Sequence, residues 1–226
     1  KEYKLTVEPG SPDKNLVGED SVAFAPMGLF YDSVATWRDF DWSYTGGANL
    51  SVAGSDPVSI QITGVSGKLM LIRELTFHPD TYIIDETVTV VNNGDAPISA
   101  TIGRTMAGTE LTDGDNRYNM TRAAYMAGET LEEESDKEDL AEEPMKVQNG
   151  ISWAGIQNNY FLMAVAPSAP DQAGVLATSF DDTVMRTVIT QKTGSLVPGS
   201  QTTLGGGYYI GPKEQEILAE APYGLA

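Results

Sequence analysis

Apolar and polar residues alternate with a period of two along most of the chain, and turn residues interrupt the pattern every eight to twelve positions or so. That is the signature of a sandwich of antiparallel strands rather than of alternating strands and helices. Tyr3, Leu5 and Val7 share one face of an opening strand that stops at Pro9-Gly10-Ser11-Pro12, and Val58, Ile60 and Ile62 repeat the pattern before Gly64. Residues 69–77 and 82–91 predict two long strands separated by His78-Pro79-Asp80, and Asn92-Asn93-Gly94-Asp95 closes the second with turn chemistry. Further strands are expected at 98–105, 151–157, 160–166, 173–179, 184–189 and 202–210. Asn158-Asn159 is expected to form a two-residue hairpin, because asparagine tolerates the positive φ such turns demand.

Two stretches read as helical. Residues 131–140 are mostly charged with little apolar stripe, which suits either a solvated helix or a mobile loop. Residues 212–221 are better: Pro212 suits a first helical turn, and Ile217, Leu218 and Ala221 share a face. Neither a repeat nor a break in composition marks a boundary, so 1–226 is expected to form one domain.

Charge narrows the function classes. The 226 residues carry 32 acidic and 14 basic side chains, a net charge of −18, opposite to the footprint of a nucleic-acid binder and repelled by anionic lipid. Residues 129–143 hold nine carboxylates and one lysine and supply −8 of that charge. Self-repulsion there predicts an extended, hydrated acidic loop or insertion, and where the domain sits beside a bilayer the segment is expected to face away from it, and so not to lie beside the C-terminal helix. Cysteine is absent, which removes disulfides, thiolate metal sites and cysteine nucleophiles. The single histidine, His78, cannot build a multi-histidine metal site, and its place at a turn gives it no identifiable partner. The longest apolar stretch, 160–167, is far short of the ~20 residues that span a membrane. A first residue of Lys rather than Met suggests a processed chain or an excised fragment.

The remaining motifs carry structure more readily than chemistry. Asp113-Gly114-Asp115-Asn116 opens like a calcium loop, but Arg117 and Tyr118 stand where that template needs an oxygen ligand and a glycine. Asp85 with Glu86, or Asp181 with Asp182, has the composition of a glycosidase pair, yet such a pair needs two carboxyl groups converging in a cleft. Asp85 is explained by the solvent face of an alternating strand. Gly205-Gly206-Gly207 is followed by Tyr208-Tyr209-Ile210 rather than by a helix, so it reads as a bulged or closely packed strand and not a phosphate cradle. Asn49-Leu50-Ser51 and Asn119-Met120-Thr121 fit the glycosylation triplet, which is frequent by chance.

Three segments taken in order resemble a known family. Residues 73–85 with 88–92 carry a strand, the turn Phe77-x-x-Asp80-x-Tyr82 and a second strand ending in asparagine; residues 151–162 centre on Trp153 and run into Tyr160-Phe161; Tyr209-Ile210-Gly211-Pro212-Lys213 leads into a short helix and Ala221-Pro222-Tyr223-Gly224. Together they are similar to the large periplasmic domain of the bacterial membrane-protein insertase YidC. The resemblance covers about three quarters of the chain, from around Asp20 onward, and fades in the first twenty residues and the acidic stretch. It implies an all-β fold, a β-supersandwich of two large antiparallel sheets related to galactose mutarotase, with a short C-terminal helix leading toward a membrane-embedded part. It also implies a location in the periplasm as part of an inner-membrane protein, with no catalytic, cofactor or metal site. The partners it implies are Sec translocon components, SecDF and SecYEG, and nascent membrane proteins.

Phe77, Asp80, Tyr82, Trp153, Tyr160, Phe161, Gly211, Pro212 and Lys213 then carry structural roles. Trp153, Tyr160 and Phe161 are expected to fill the core, each burying roughly 150–250 Å². Gly211-Pro212 is expected to end the last strand and start the helix. Lys213, Ile217 and Leu218 would form an interaction helix. The alternative function is a carbohydrate-binding or carbohydrate-active sandwich, and a further one is an exported structural or adhesive β-domain.

Overall fold

Strands form wherever the alternating pattern places one apolar face inward. The computed structural model describes residues 16–17, 23–47, 49–112, 118–180 and 183–226. The expected opening strand through Tyr3, Leu5 and Val7, the Asp113–Arg117 segment and Asp181-Asp182 lie outside the described residues. In chain order the elements are β1 (Leu29–Tyr31), β2 (Val34–Ala35), α1 (Thr36–Asp39), β3 (Asp41–Tyr44), β4 (Val58–Ser66), β5 (Leu69–Phe77), β6 (Ile83–Asn92) and β7 (Ile98–Gly108). Then follow β8 (Arg122–Ala127), β9 (Thr130–Glu134), α2 (Lys137–Glu142), β10 (Met145–Val147), β11 (Ile151–Gln157), β12 (Phe161–Pro167), β13 (Ala173–Phe180), β14 (Val184–Leu196), β15 (Gln201–Pro212) and α3 (Gln215–Glu220).

Two antiparallel sheets result, as the pattern predicts. One has six strands in the order β10-β13-β14-β7-β1-β2, the other nine in the order β3-β4-β5-β6-β15-β12-β11-β8-β9. Their facing sides share a core in which Met106, Val175, Met185 and Ile189 of the smaller sheet meet Ile156, Met163, Val165 and Tyr208 of the larger. β12 shows why its sequence is apolar without alternation. Phe161, Met163 and Val165 point into the sandwich, while Leu162, Ala164 and Ala166 belong to a second apolar cluster, with Trp153, Leu218 and Leu225, on the outer face of the larger sheet. A strand buried on both faces needs no polar side.

Several expectations change. The acidic segment 129–143 is not an extended loop: it supplies edge strand β9 and helix α2. Asp136 caps α2 by accepting from the backbone N–H groups of Glu138 (2.9 Å) and Asp139 (3.1 Å), and Leu140 is fully buried beneath it. Ser179 Oγ and Thr178 Oγ1, donating to the carbonyls of Lys137 and Leu140, tie the helix to β13. β9 also lies beside the C-terminal helix rather than facing away from it, since Leu131 lines a cavity with Gln215 and Leu218.

The β11–β12 hairpin exists, but not as a two-residue turn. Gln157 pairs with Leu162, and the positive-φ non-glycine residues among those described are Ala25, Asp32 and Tyr223. Asn158 instead folds its side chain back, its Oδ1 accepting from the N–H groups of Tyr160 and Phe161, both at 2.9 Å. Tyr160 therefore sits at the hairpin tip, 62% exposed, and not in the core; Phe161 fills the core between the sheets as expected, whereas Trp153 is buried on the outer face of the larger sheet instead. Helix α3 is also shorter than 212–221. Pro212 is the last residue of β15, paired with Phe161, because a proline that lacks an N–H still fits a strand end.

Candidate functional site

The residues of the three motifs come together around α3, on the outer face of the nine-stranded sheet. The face is built by β6, β15, β12 and β11, whose outward side chains Ile83, Tyr209, Leu162 and Trp153 are all buried by α3 and the residues after it. Leu218 from the helix and Leu225 beyond it close the contact.

One cavity, of about 440 Å³, lies between α3 and the β5–β6 turn and is lined by Asp80, Tyr82, Tyr209, Ile217 and Pro222 among others. On the other side of the helix a smaller one, of about 220 Å³, is lined by Leu131, Trp153, Lys213, Leu218 and Leu225.

Local contacts fix this arrangement. Tyr82 packs edge-on against Tyr209, ring centroids 6.1 Å apart. It occupies space that only a glycine leaves, since a Cβ on Gly211 would stand 2.5 Å from Tyr82 Cγ. Tyr209 donates its hydroxyl to the carbonyl of Pro212 at 2.5 Å, and the N–H of Lys213 donates to the carbonyl of Tyr160 at 2.7 Å. Burial pushes the Tyr209 hydroxyl above its ordinary value, with Tyr82 and Glu214 adding to the effect. Burial likewise pulls the Lys213 ammonium below its ordinary value, against the attraction of nearby Glu133. Thus Asp80, Tyr82, Trp153, Gly211, Pro212, Lys213, Ile217 and Leu218 meet here, and Tyr160 touches the site through its backbone carbonyl. Phe77 and Phe161 do not, because both pack in the core between the sheets.

The acidic pair Asp85 and Glu86 splits across β6. Glu86 points inward and is sealed between two arginines: Arg73 Nε donates to its Oε1 at 2.7 Å and Arg104 Nε to its Oε2 at 2.8 Å. Tyr208 donates to the same Oε2 at 3.2 Å, and Arg104 also donates to Gln191 Oε1 and the Leu204 carbonyl. Burial alone would lower the Arg73 value, but Glu86 and Tyr208 raise it overall. For Tyr208, burial and Glu86 raise the hydroxyl well above its ordinary value.

Asp85 points outward and is not a bare solvent-face carboxylate. His78 Nε2 meets its Oδ2 at 2.8 Å, and Tyr223 donates to its Oδ1 at 2.9 Å. Nothing near His78 in the sequence marks a partner; the pairing follows from the β5–β6 turn folding it back over β6. The three glycines 205–207 form a closely packed stretch of β15, with Ser168, Ala166 and Tyr223 against the positions their side chains would take.

This architecture defines a large antiparallel β-sandwich domain whose C-terminal segment straps one outer face. No helix among the described residues is long and apolar enough to cross a membrane. Residues 1–226 match the YidC periplasmic domain family, and the chain belongs to that family, which places it in the periplasm as part of an inner-membrane protein. It is 33% identical over 99% of its length to the membrane protein insertase YidC of Nitratidesulfovibrio vulgaris and 35% identical over 98% to that of Maridesulfovibrio salexigens. It spans 41% and 40% of those relatives. The first twenty residues and the acidic stretch, where the resemblance was expected to fade, fall inside the family match.

Among solved structures, the α-galactosidase from Lactobacillus brevis matches with a TM-score of 0.52 at 8% identity, over 85% of this chain and 28% of that one. A galactose mutarotase related enzyme from Lactobacillus acidophilus matches with a TM-score of 0.48 at 13% identity, over 78% and 73%. Likeness at such identities concerns the fold alone.

Proposed function

We propose that residues 1–226 act as one non-catalytic domain of a YidC-type insertase, with the α3 face as a docking or substrate-presenting surface for Sec translocon components such as SecDF and SecYEG and for nascent membrane proteins. The supporting observation is the convergence of three widely separated motifs on α3, with its cavity of about 440 Å³ and a half-buried Ile217. The non-catalytic reading is favoured by the split of Asp85 and Glu86 to opposite faces of β6, which leaves no pair for glycoside chemistry there.

Photo-crosslinking in cells tests the proposal, with probes in the full-length protein at the exposed positions Glu216 and Glu220 and at Tyr44 on the edge strand β3 for comparison. Adducts with Sec components or nascent chains are expected from the α3 positions and not from Tyr44. Equal or absent adducts at all three would overturn it.

A further inference from the structure

We infer that residues 215–226 form a releasable strap over an apolar face, and that the contact of Tyr223 with Asp85 is its clasp. Helix α3 has only six residues, and its N-cap residue Glu214 makes no side-chain capping bond. A helix this short has little stability of its own. Packing on both flanks is incomplete, since cavities of about 440 and 220 Å³ border it. Leu218 and Leu225 are buried in the cluster below, and Ile217, Ala221 and the ring of Tyr223 pack against it. The polar anchor is Tyr223, whose hydroxyl donates to Asp85 Oδ1 at 2.9 Å and lies 3.2 Å from the carbonyl of Gly206.

The seat for that hydroxyl is built into the sheet. Gly207 pairs with Asp85 across β15 and β6, and a Cβ on Gly207 would stand 2.7 Å from Tyr223 Oη and 3.0 Å from its Cε2. His78 holds the other carboxylate oxygen, so the acceptor is oriented whether or not the strap is closed. The backbone works against closure: Tyr223 sits at φ 77°, a left-handed conformation that disfavours a residue with a Cβ. A strained residue held by one charge-assisted hydrogen bond, on a short segment seated by a handful of apolar side chains, makes a hinged unit that opens apart from the sheet. Opening would bare Trp153, Leu162 and Tyr209, an apolar face the closed chain hides. Trp153, 3% exposed, also has an indole N–H without a partner.

Hydrogen exchange read by mass spectrometry on the whole chain tests the clasp. The amides of Leu218 and Ala221, bonded to the carbonyls of Glu214 and Leu218, report closure. Tyr223→Phe removes one hydroxyl and is expected to speed exchange across 218–226 by on the order of tenfold or more, with β12 and β14 unchanged. Asp85→Asn should act in the same direction, and Tyr223→Phe should add nearly nothing to it. Gly207→Ala should release the same segment by pushing the hydroxyl from its seat, with an added local effect on β6, since its Cβ would also stand 3.0 Å from the Ile84 carbonyl oxygen. Exchange in 218–226 that is unchanged by Tyr223→Phe, or that rises equally in all strands, would overturn the clasp.

Discussion

Replacing Glu86 by Gln removes one negative charge from a place where two positive ones remain. The Glu86 and Arg104 side chains are both 0% exposed and that of Arg73 is 12% exposed, so water cannot take over the lost interaction. Glu86 accepts from Arg73 at 2.7 Å, from Arg104 at 2.8 Å and from Tyr208 at 3.2 Å. A glutamine keeps one acceptor oxygen, but its NH₂ must face the donors that met the other. Breaking a buried ion pair by removing one partner typically costs about 3–5 kcal/mol. For a chain of this size that corresponds to a fall in Tm of roughly 10 °C. Urea unfolding at neutral pH, with the slope checked for constancy, measures the loss. The neighbouring change Asp85→Asn supplies the contrast, because that carboxylate is partly exposed and should cost no more than about 1 kcal/mol globally. If Glu86→Gln costs less than about 1 kcal/mol, or no more than Asp85→Asn, the claim that the cluster is dry and mutually dependent is wrong.

Other sites give independent checks. Gly211→Ala would drive a Cβ to 2.5 Å from Tyr82, which is backed by Tyr209, and should cost about 1–3 kcal/mol in urea unfolding. Asp136→Ala removes the cap of α2 and should weaken that helix by about 1 kcal/mol, seen as faster exchange at the Leu140 and Glu143 amides with β13 unaffected. Burial, then the bond to Asp85 and its charge, raises the Tyr223 hydroxyl above its ordinary value of 10.0. The open strap therefore ionises near pH 10 while the closed one stays protonated, so its stabilising effect is complete below pH 10 and is lost as pH rises above it. Methyl NMR signals of Leu225 should shift toward the released state above pH 10 in the parent chain and lack that step in Tyr223→Phe. Tyr208 and Tyr209, also raised by burial, remain in both chains and cancel in the comparison.

Local signals were legible where turn chemistry bounded an apolar pattern. β5 and β11 run over the residues the pattern marks, because His78-Pro79-Asp80 follows the first and the Asn158 turn follows the second. β9 was not legible as a strand: Thr130-Leu131-Glu132-Glu133-Glu134 has no continuous apolar face, and its extended form rests on its pairing with β8. Tyr160 was misplaced because an aromatic beside Phe161 looks like core, whereas the Asn158 turn lifts it to the hairpin tip. Pro212 suits both a strand end and a first helical turn, and the register with β12 decides for the strand. The Arg73–Glu86–Arg104 cluster was invisible because its members lie on three strands in two sheets, and nothing local marks a charge that faces inward. The same blindness hid His78, Asp85 and Tyr223, which meet only once the chain's last residues return to β6.

The strand order also sets a schedule. β3 to β6 form one chain-adjacent set and β8, β9, β11 and β12 another, and β15 lies between β6 and β12. Until β15 arrives, two half-sheets carry open inner edges, with β6 and β12 each a template for the wrong partner. Folding of the larger sheet must therefore wait for the residues up to Pro212 to emerge, and closing it requires contacts between residues more than a hundred positions apart, such as Gln201 with Val91. Such non-local closure is slow. The domain is thus exposed to mispairing during its own synthesis, and β15 ends that exposure.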